Sequence, residues 1–186
     1  MLKGGHAFFT ELTRAIGRRQ LYSSNVRVPF TFDFIRAKSY DGTASSGEVK
    51  VTGVRVEDLA GRDVILVEDI IDSGLTMSIL VPMLEKSCTS VAVATLIAKR
   101  NPKAVGFRAQ YIGFEVEDAF LVGYNLDYNE AFRELDHLCV INAKGVAAFK
   151  DFDDGTSANS AAVQAGAGAE ERRVGKESRS RWSLYH

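Results

Sequence analysis

Three carboxylates crowd one short stretch of the chain, Val64-Ile65-Leu66-Val67-Glu68-Asp69-Ile70-Ile71-Asp72-Ser73-Gly74-Leu75-Thr76. Glu68 and Asp69 stand side by side after an apolar run, Asp72 follows shortly, and a small polar turn with Gly74 opens a helical pattern. A short continuous apolar run marks a strand covered on both faces, as in a parallel sheet. Acids at the carboxyl end of such a strand fall in the ligand crevice of an open α/β sheet, and the backbone N–H groups of the next helix can hold a phosphate. Metal, sugar and phosphate can all be served from one turn. A plainer reading makes Asp72 and Ser73 caps of the helix; it accounts for one polar residue and not for three acids. With no GxxxxGK[ST] sequence in the chain, the segment is not a Walker A loop.

The surrounding residues supply the elements that must hold this turn. Met77, Ile79, Leu80, Met83 and Leu84 recur at helical spacing, and Val91 to Ile97 is a second apolar run, which completes a βαβ unit. Runs at Tyr111 to Val116, Ala119 to Tyr124 and Leu138 to Ile141 continue the series, so the class is α/β. Upstream, Phe8, Phe9, Leu12, Ala15 and Ile16 predict a helix directly after Gly4-Gly5. Val28, Phe30, Phe32 and Phe34 alternate with Thr31 and Asp33 between them, the pattern of a strand with one face on a core. Ser39 to Gly53 is polar and rich in Gly and Ser, too long for a tight hairpin turn, and reads as a mobile loop. Beyond Lys150 few large apolar side chains remain to offset the entropy of ordering, so residues 151–186 read as a disordered tail behind one domain over residues 1–150.

Composition narrows the partners. The 186 residues carry 23 Lys and Arg against 24 Asp and Glu, a net charge of -1, which leaves no basic excess to neutralise a run of nucleic-acid phosphates. No stretch is long and apolar enough for a membrane span, and the first residues lack the order of a secretory signal, so the expected compartment is cytoplasmic, with an organelle also open. Cys88 and Cys139 are far apart among apolar neighbours and read as buried free thiols. His6 and His137 have no partners at a recognisable spacing and are assigned no chemistry.

The acidic segment closely resembles the phosphoribosyl diphosphate (PRPP) binding motif of the type I phosphoribosyltransferases. Within that superfamily the chain resembles the hypoxanthine-guanine phosphoribosyltransferases over about residues 1–150. Leu2-Lys3-Gly4-Gly5 is similar to their pyrophosphate loop, and Val28 to Tyr40, with Lys38-Ser39-Tyr40, to the strand entering their flexible active-site loop. Leu96-Ile97-Ala98-Lys99-Arg100, Val105-Gly106-Phe107, Gly113-Phe114-Glu115 and Phe120 to Glu130 are similar to their purine-recognition half.

The resemblance implies a parallel sheet flanked by helices with a small hood, and displacement of pyrophosphate from PRPP by N9 of a 6-oxopurine, hypoxanthine or guanine, with xanthine also open. It makes Mg2+ the cofactor, with Glu68, Asp69 and Asp127 as its acids. Asp72 becomes the catalytic acid or base beside purine N7. Ser73, Gly74, Leu75 and Thr76 wrap the 5′-phosphate with Asp72, although Leu75 stands where the family frequently has Lys. Lys3, Gly4 and Arg133 bind pyrophosphate, and Ser39 and Tyr40 belong to the flexible loop. Lys99 donates to the purine 6-oxo group, Phe120 stacks on the base, the Leu121 backbone meets the purine edge, and Asp127 completes this side. Glu117, Asp118 and the Leu121 backbone are the candidates for reading the purine 2-position. Homo-oligomers, dimers or tetramers, are usual in the family.

Two features depart from it. The pyrophosphate-loop match begins at the first residues, so an N-terminal portion of the domain and hood is expected to be missing, with poor stability as the consequence. Residues 170–186 resemble the translation of a sequencing-library adapter, departing at Ser178 and Leu184; a solvated linker or a basic tail is the alternative. A noncatalytic PRPP- or nucleotide-binding regulatory module and an inactive fragment are the rival functional readings, since fold and ligand site do not guarantee turnover.

Overall fold

Leu80 and Leu84, each 1% exposed, and Val93, fully buried, mark where the first core sits: between helix α2 (Leu75–Glu85) and the strands β3 (Asp63–Ile71) and β4 (Ser90–Arg100). These positions come from a computed structural model, which describes residues 3–23, 27–39, 49–152 and 169–170. β3, β4 and β5 (Tyr111–Glu117) form a three-stranded parallel sheet in that order. The β3–β4 register runs from Asp63↔Ser90 to Ile71↔Ala98. This is the βαβ unit expected from the apolar runs.

Helix α1 (His6–Ser23) packs on β3 and continues past Ile16, where the apolar periodicity ends. β1 (Arg36–Ser39) and β2 (Val49–Thr52) pair antiparallel. The Ser39–Gly53 stretch, read as a loop, thus has paired ends, while Tyr40 and residues 41–48 lie outside the described residues. A short 3-10 helix (Val56–Leu59) leads into β3.

The expected strand at Val28–Phe34 does not form. Residues 27–35 carry no regular secondary structure, and Val28, Phe30, Phe32 and Phe34 are 59%, 42%, 54% and 49% exposed. Alternation describes which way side chains point, whereas a strand also needs a neighbour for its backbone groups. The aromatic stripe instead leans on α1, with the Phe32 and Phe34 rings 5.2 and 5.7 Å from that of Phe9.

The chain divides into two compact units, Met1–Asp118 and Ala119–His186, where sequence suggested one domain to residue 150. The second unit has its own core of Val122, Ala131, Phe132, Cys139 and Ile141. Its strands β6 (Leu121–Val122), β7 (Cys139–Ile141) and β8 (Ala169–Glu170) form an antiparallel sheet, and α3 (Ala143–Phe149) is capped by the Asn142 side chain, which accepts from the Gly145 N–H at 2.9 Å. Ala169–Glu170 is the described piece of the segment read as a disordered tail; residues 153–168 and 171–186 lie outside the described residues. Neither cysteine is in a disulfide; Cys139 is buried, but Cys88 is only half-buried.

Candidate functional site

β3 delivers its acids at its carboxyl end, as a parallel strand should. Past Ile71 the chain turns through Gly74, whose φ of 79° lies in the left-handed region that favours glycine and where a Cβ would sit in tight contact, 3.0 Å from the Phe107 Cβ. Helix α2 then starts at Leu75, with the Leu75 N–H donating to Ser73 Oγ at 3.4 Å. Asp72 does not cap the helix. Glu68 and the turn residues Asp72, Ser73, Gly74, Leu75 and Thr76 line one cavity of about 230 Å³.

Asp69 is buried, 3% exposed, and one of its oxygens accepts its own neighbour's N–H, Ile70, at 2.8 Å. Gly4 presses against it: a Cβ on Gly4 would overlap the Asp69 carboxylate. The Lys3-Gly4-Gly5 turn, which sequence linked to this site, is thus seated on it, and only glycine permits the approach. Burial, reinforced by the Asp69 charge beside it, pushes the Glu68 carboxyl up to about 8. A carboxyl raised that far keeps its proton near neutrality.

Lys99 and Asp72 stand one step beyond the last pair of the β3–β4 ladder, Ile71↔Ala98. That register brings Lys99 Nζ to 3.0 Å from Asp72 Oδ2. The Lys99 side chain is 9% exposed and also lies 3.7 Å from Asp118 Oδ1. Asn101 Nδ2 donates to the other Asp72 oxygen at 2.5 Å. Burial raises the Asp72 carboxyl, but the hydrogen bonds from Asn101 and Lys99 and the Lys99 charge outweigh it and hold Asp72 below its ordinary value.

In the second unit, Asp127 lies between two tight turns. Gly123 and Leu126 exchange backbone hydrogen bonds across Tyr124-Asn125, and Tyr128 and Ala131 across Asn129-Glu130. All four central residues have positive φ, as type I′ turns demand, although none is glycine. The stretch from Gly123 to Ala131 is therefore a double turn. Arg133 Nη2 is 2.7 Å from Asp127 Oδ1, the guanidinium also bonds both Glu130 oxygens at 3.1 and 3.2 Å, and Nη1 donates to the Asn125 carbonyl at 2.7 Å. Phe120 is half-exposed, its ring 5.5 Å from that of Tyr128 in an edge-on contact. The Leu121 backbone is in β6.

The predicted residues thus gather in two groups. Gly4, Glu68, Asp69, Asp72, Ser73, Gly74, Leu75, Thr76 and Lys99 belong to the first unit, with Lys3 exposed at its start; Phe120, Leu121, Asp127 and Arg133 belong to the second. Ser39 pairs with Val49 through the backbone, and Tyr40 lies outside the described residues. Among the described residues no three His, Cys, Asp or Glu side chains converge as a ready-made metal cage. Glu68 and Asp69 nevertheless fit Mg2+, which takes one or two carboxylates and completes its shell with water and substrate phosphate oxygens. Sequence reasoning passed over Asn101. Its one signal was Asn101-Pro102, a turn-initiating pair at a strand end, which says nothing of a residue 29 positions away.

Residues 1–129 match the phosphoribosyl transferase domain family. The chain is 45% identical over 155 residues to the hypoxanthine-guanine phosphoribosyltransferase of Bos taurus and 44% to that of Homo sapiens, in each case covering 81% of this chain and 69% of the relative. Among solved structures it is similar to hypoxanthine phosphoribosyltransferase of Trypanosoma cruzi, with TM-score 0.69, 32% identity, and 80% and 74% of the two chains covered. The enzyme of Staphylococcus aureus aligns with TM-score 0.63 and 30% identity over 76% and 72%.

Proposed function

Because the chain belongs to the phosphoribosyl transferase domain family, we propose that it moves the 5-phosphoribosyl group of PRPP to N9 of hypoxanthine or guanine, giving IMP or GMP and pyrophosphate. The observation that carries this reading is the single cavity lined by Glu68 and Asp72 to Thr76, with the buried Lys99 ammonium on Asp72.

Positive charge develops on the ribose ring as the bond to pyrophosphate lengthens, and preoriented carboxylates lower that barrier. Asp69 supplies one, and Glu68, which keeps its proton near neutrality, would supply the second once a bound cation displaces that proton; Glu68, Asp69 and Asp127 are the acids proposed for Mg2+, which would neutralise charge on the departing pyrophosphate. Backbone N–H groups of the 72–76 turn, with the Ser73 and Thr76 hydroxyls, hold the 5′-phosphate. The exposed Leu75 adds no charge there, so backbone donors carry that contact. Lys3, Gly4 and Arg133 hold pyrophosphate, for which Arg133 gives up part of its hold on Asp127 and Glu130. The Lys99 ammonium donates to a 6-oxo group and rejects a 6-amino group, which cannot accept that bond. Phe120 stacks on the base, the Leu121 backbone borders its edge, and Asp72 keeps or takes the proton at N7. Ser39, the last residue of β1, is proposed to serve the substrate together with Tyr40, which lies outside the described residues. A cytoplasmic homo-oligomer, dimer or tetramer, goes with this reading; among the described residues no helix is long and apolar enough to cross a membrane.

Incubation with PRPP, Mg2+ and each of hypoxanthine, guanine, xanthine and adenine tests the proposal. Transfer to hypoxanthine and guanine, none to adenine, and a kcat lower by about 10²–10⁴-fold in Asp72→Asn are expected. Absence of transfer to any 6-oxopurine would overturn it.

A further inference from the structure

We propose that Asn101 is a positioning residue for Asp72, holding the carboxylate in place through an amide whose orientation is fixed by the turn it opens. Asn101 Oδ1 accepts the Lys103 N–H at 2.8 Å, and the Asn101 carbonyl accepts the Ala104 N–H at 3.0 Å. This is a β-turn with Asn first and Pro102 second, where the ring presets the backbone and lacks an N–H of its own. An amide whose oxygen is already committed to a backbone donor must turn its NH2 group the other way. That NH2 meets Asp72 Oδ1. The turn is itself tied to the phosphate segment, since the Val105 N–H donates to the Ser73 carbonyl at 2.9 Å. Asn101 is therefore locked at both ends of its short side chain.

The need for such a lock follows from what Lys99 is asked to do. The reading of Asp72 as the group at purine N7 and Lys99 as the donor to the 6-oxo group is the one proposed above, and the inference rests on it. When the Lys99 ammonium turns to the base, Asp72 loses one of its two described partners while its side chain is 53% exposed. The bond from Asn101 alone then keeps the carboxylate from rotating out of line. Among the described residues, the charged groups paired with the Lys99 ammonium are Asp72 and Asp118.

Two variants separate this role from a merely structural one. Asn101→Asp retains an oxygen for the Lys103 N–H, and so the turn, but donates nothing to Asp72; Asn101→Ala loses both. Positioning predicts that both variants lower kcat by about 10- to 100-fold, the scale of a misplaced catalytic group, with KM for PRPP within about twofold. It also predicts that the Asp72 carboxyl, followed by carbon-13 NMR, titrates at higher pH in both. Wild-type kcat and an unmoved Asp72 titration in Asn101→Asp would overturn the inference while leaving the transferase reading intact. Absence of transfer in the parent chain, with the Asp72 titration still raised in both variants, would overturn the transferase reading and uphold the hold of Asn101 on Asp72.

Discussion

Lys99 Nζ lies 3.0 Å from Asp72 Oδ2, so the cation assigned to the base and the carboxylate assigned to its proton neutralise each other before any base arrives. A 6-oxopurine must compete for that ammonium, and a ligand that cannot accept its hydrogen bond gains nothing by displacing it. In Lys99→Met the competition disappears together with the donor. Loss of a charged hydrogen bond, about 1.5–3 kcal/mol, should lower kcat/KM for hypoxanthine by about 10- to 150-fold, and discrimination against adenine should narrow. Steady-state kinetics with both bases is the measurement.

The same pair makes acid stability depend on Asp72. Its folded carboxyl titrates below the ordinary 3.8, so it stabilises the fold above that value and loses this contribution as pH falls through the lowered one. Asp72→Asn removes the group from the balance. Melting temperatures recorded between about pH 5 and pH 2 should therefore fall less steeply in the variant than in the parent chain.

Gly4 admits no side chain against Asp69. Gly4→Ala would force the loop off the carboxylate or displace Asp69, at about 1–3 kcal/mol, the usual cost of overpacking. The expected result is a lower melting temperature together with a raised KM for PRPP, whereas Gly17→Ala, where a Cβ meets nothing within 4 Å, should leave KM unchanged.

Phe120 is half-exposed and belongs to no core cluster of its unit, so its ring is available to a ligand. Phe120→Ala should raise KM for the base by about 2- to 10-fold, the equivalent of about 0.5–1.5 kcal/mol of stacking, with little change in melting temperature. A large drop in melting temperature with unchanged KM would return Phe120 to a packing role.

The strand, turn and helix from Val64 to Leu84 were legible because each signal is local: an apolar run, a glycine, then helical spacing. Gly4 beside Asp69 and Lys99 beside Asp72 were each singled out, but what each touches depends on the loop's seating and on the β3–β4 register. Asn101 was missed for the same reason, as its partner lies on a different strand end. Val28–Phe34 failed in the opposite direction. Its alternation is real, yet periodicity cannot supply a neighbouring strand, and the phenyl rings found α1 instead. The double turn around Asp127 was hidden because Tyr, Asn and Glu occupy positions that usually call for glycine.

The ladder register carries a consequence for how activity is acquired. Asp72 and Lys99 are 27 residues apart and meet only past the final rung of a parallel pairing that starts at Asp63 and Ser90. A slip of one residue would send the two side chains to opposite faces. Chains whose helices have formed but whose strands are zipped only partway would thus count as folded by circular dichroism and yet turn over nothing. Specific activity is for that reason a stricter gauge of completed folding in this protein than its secondary-structure content.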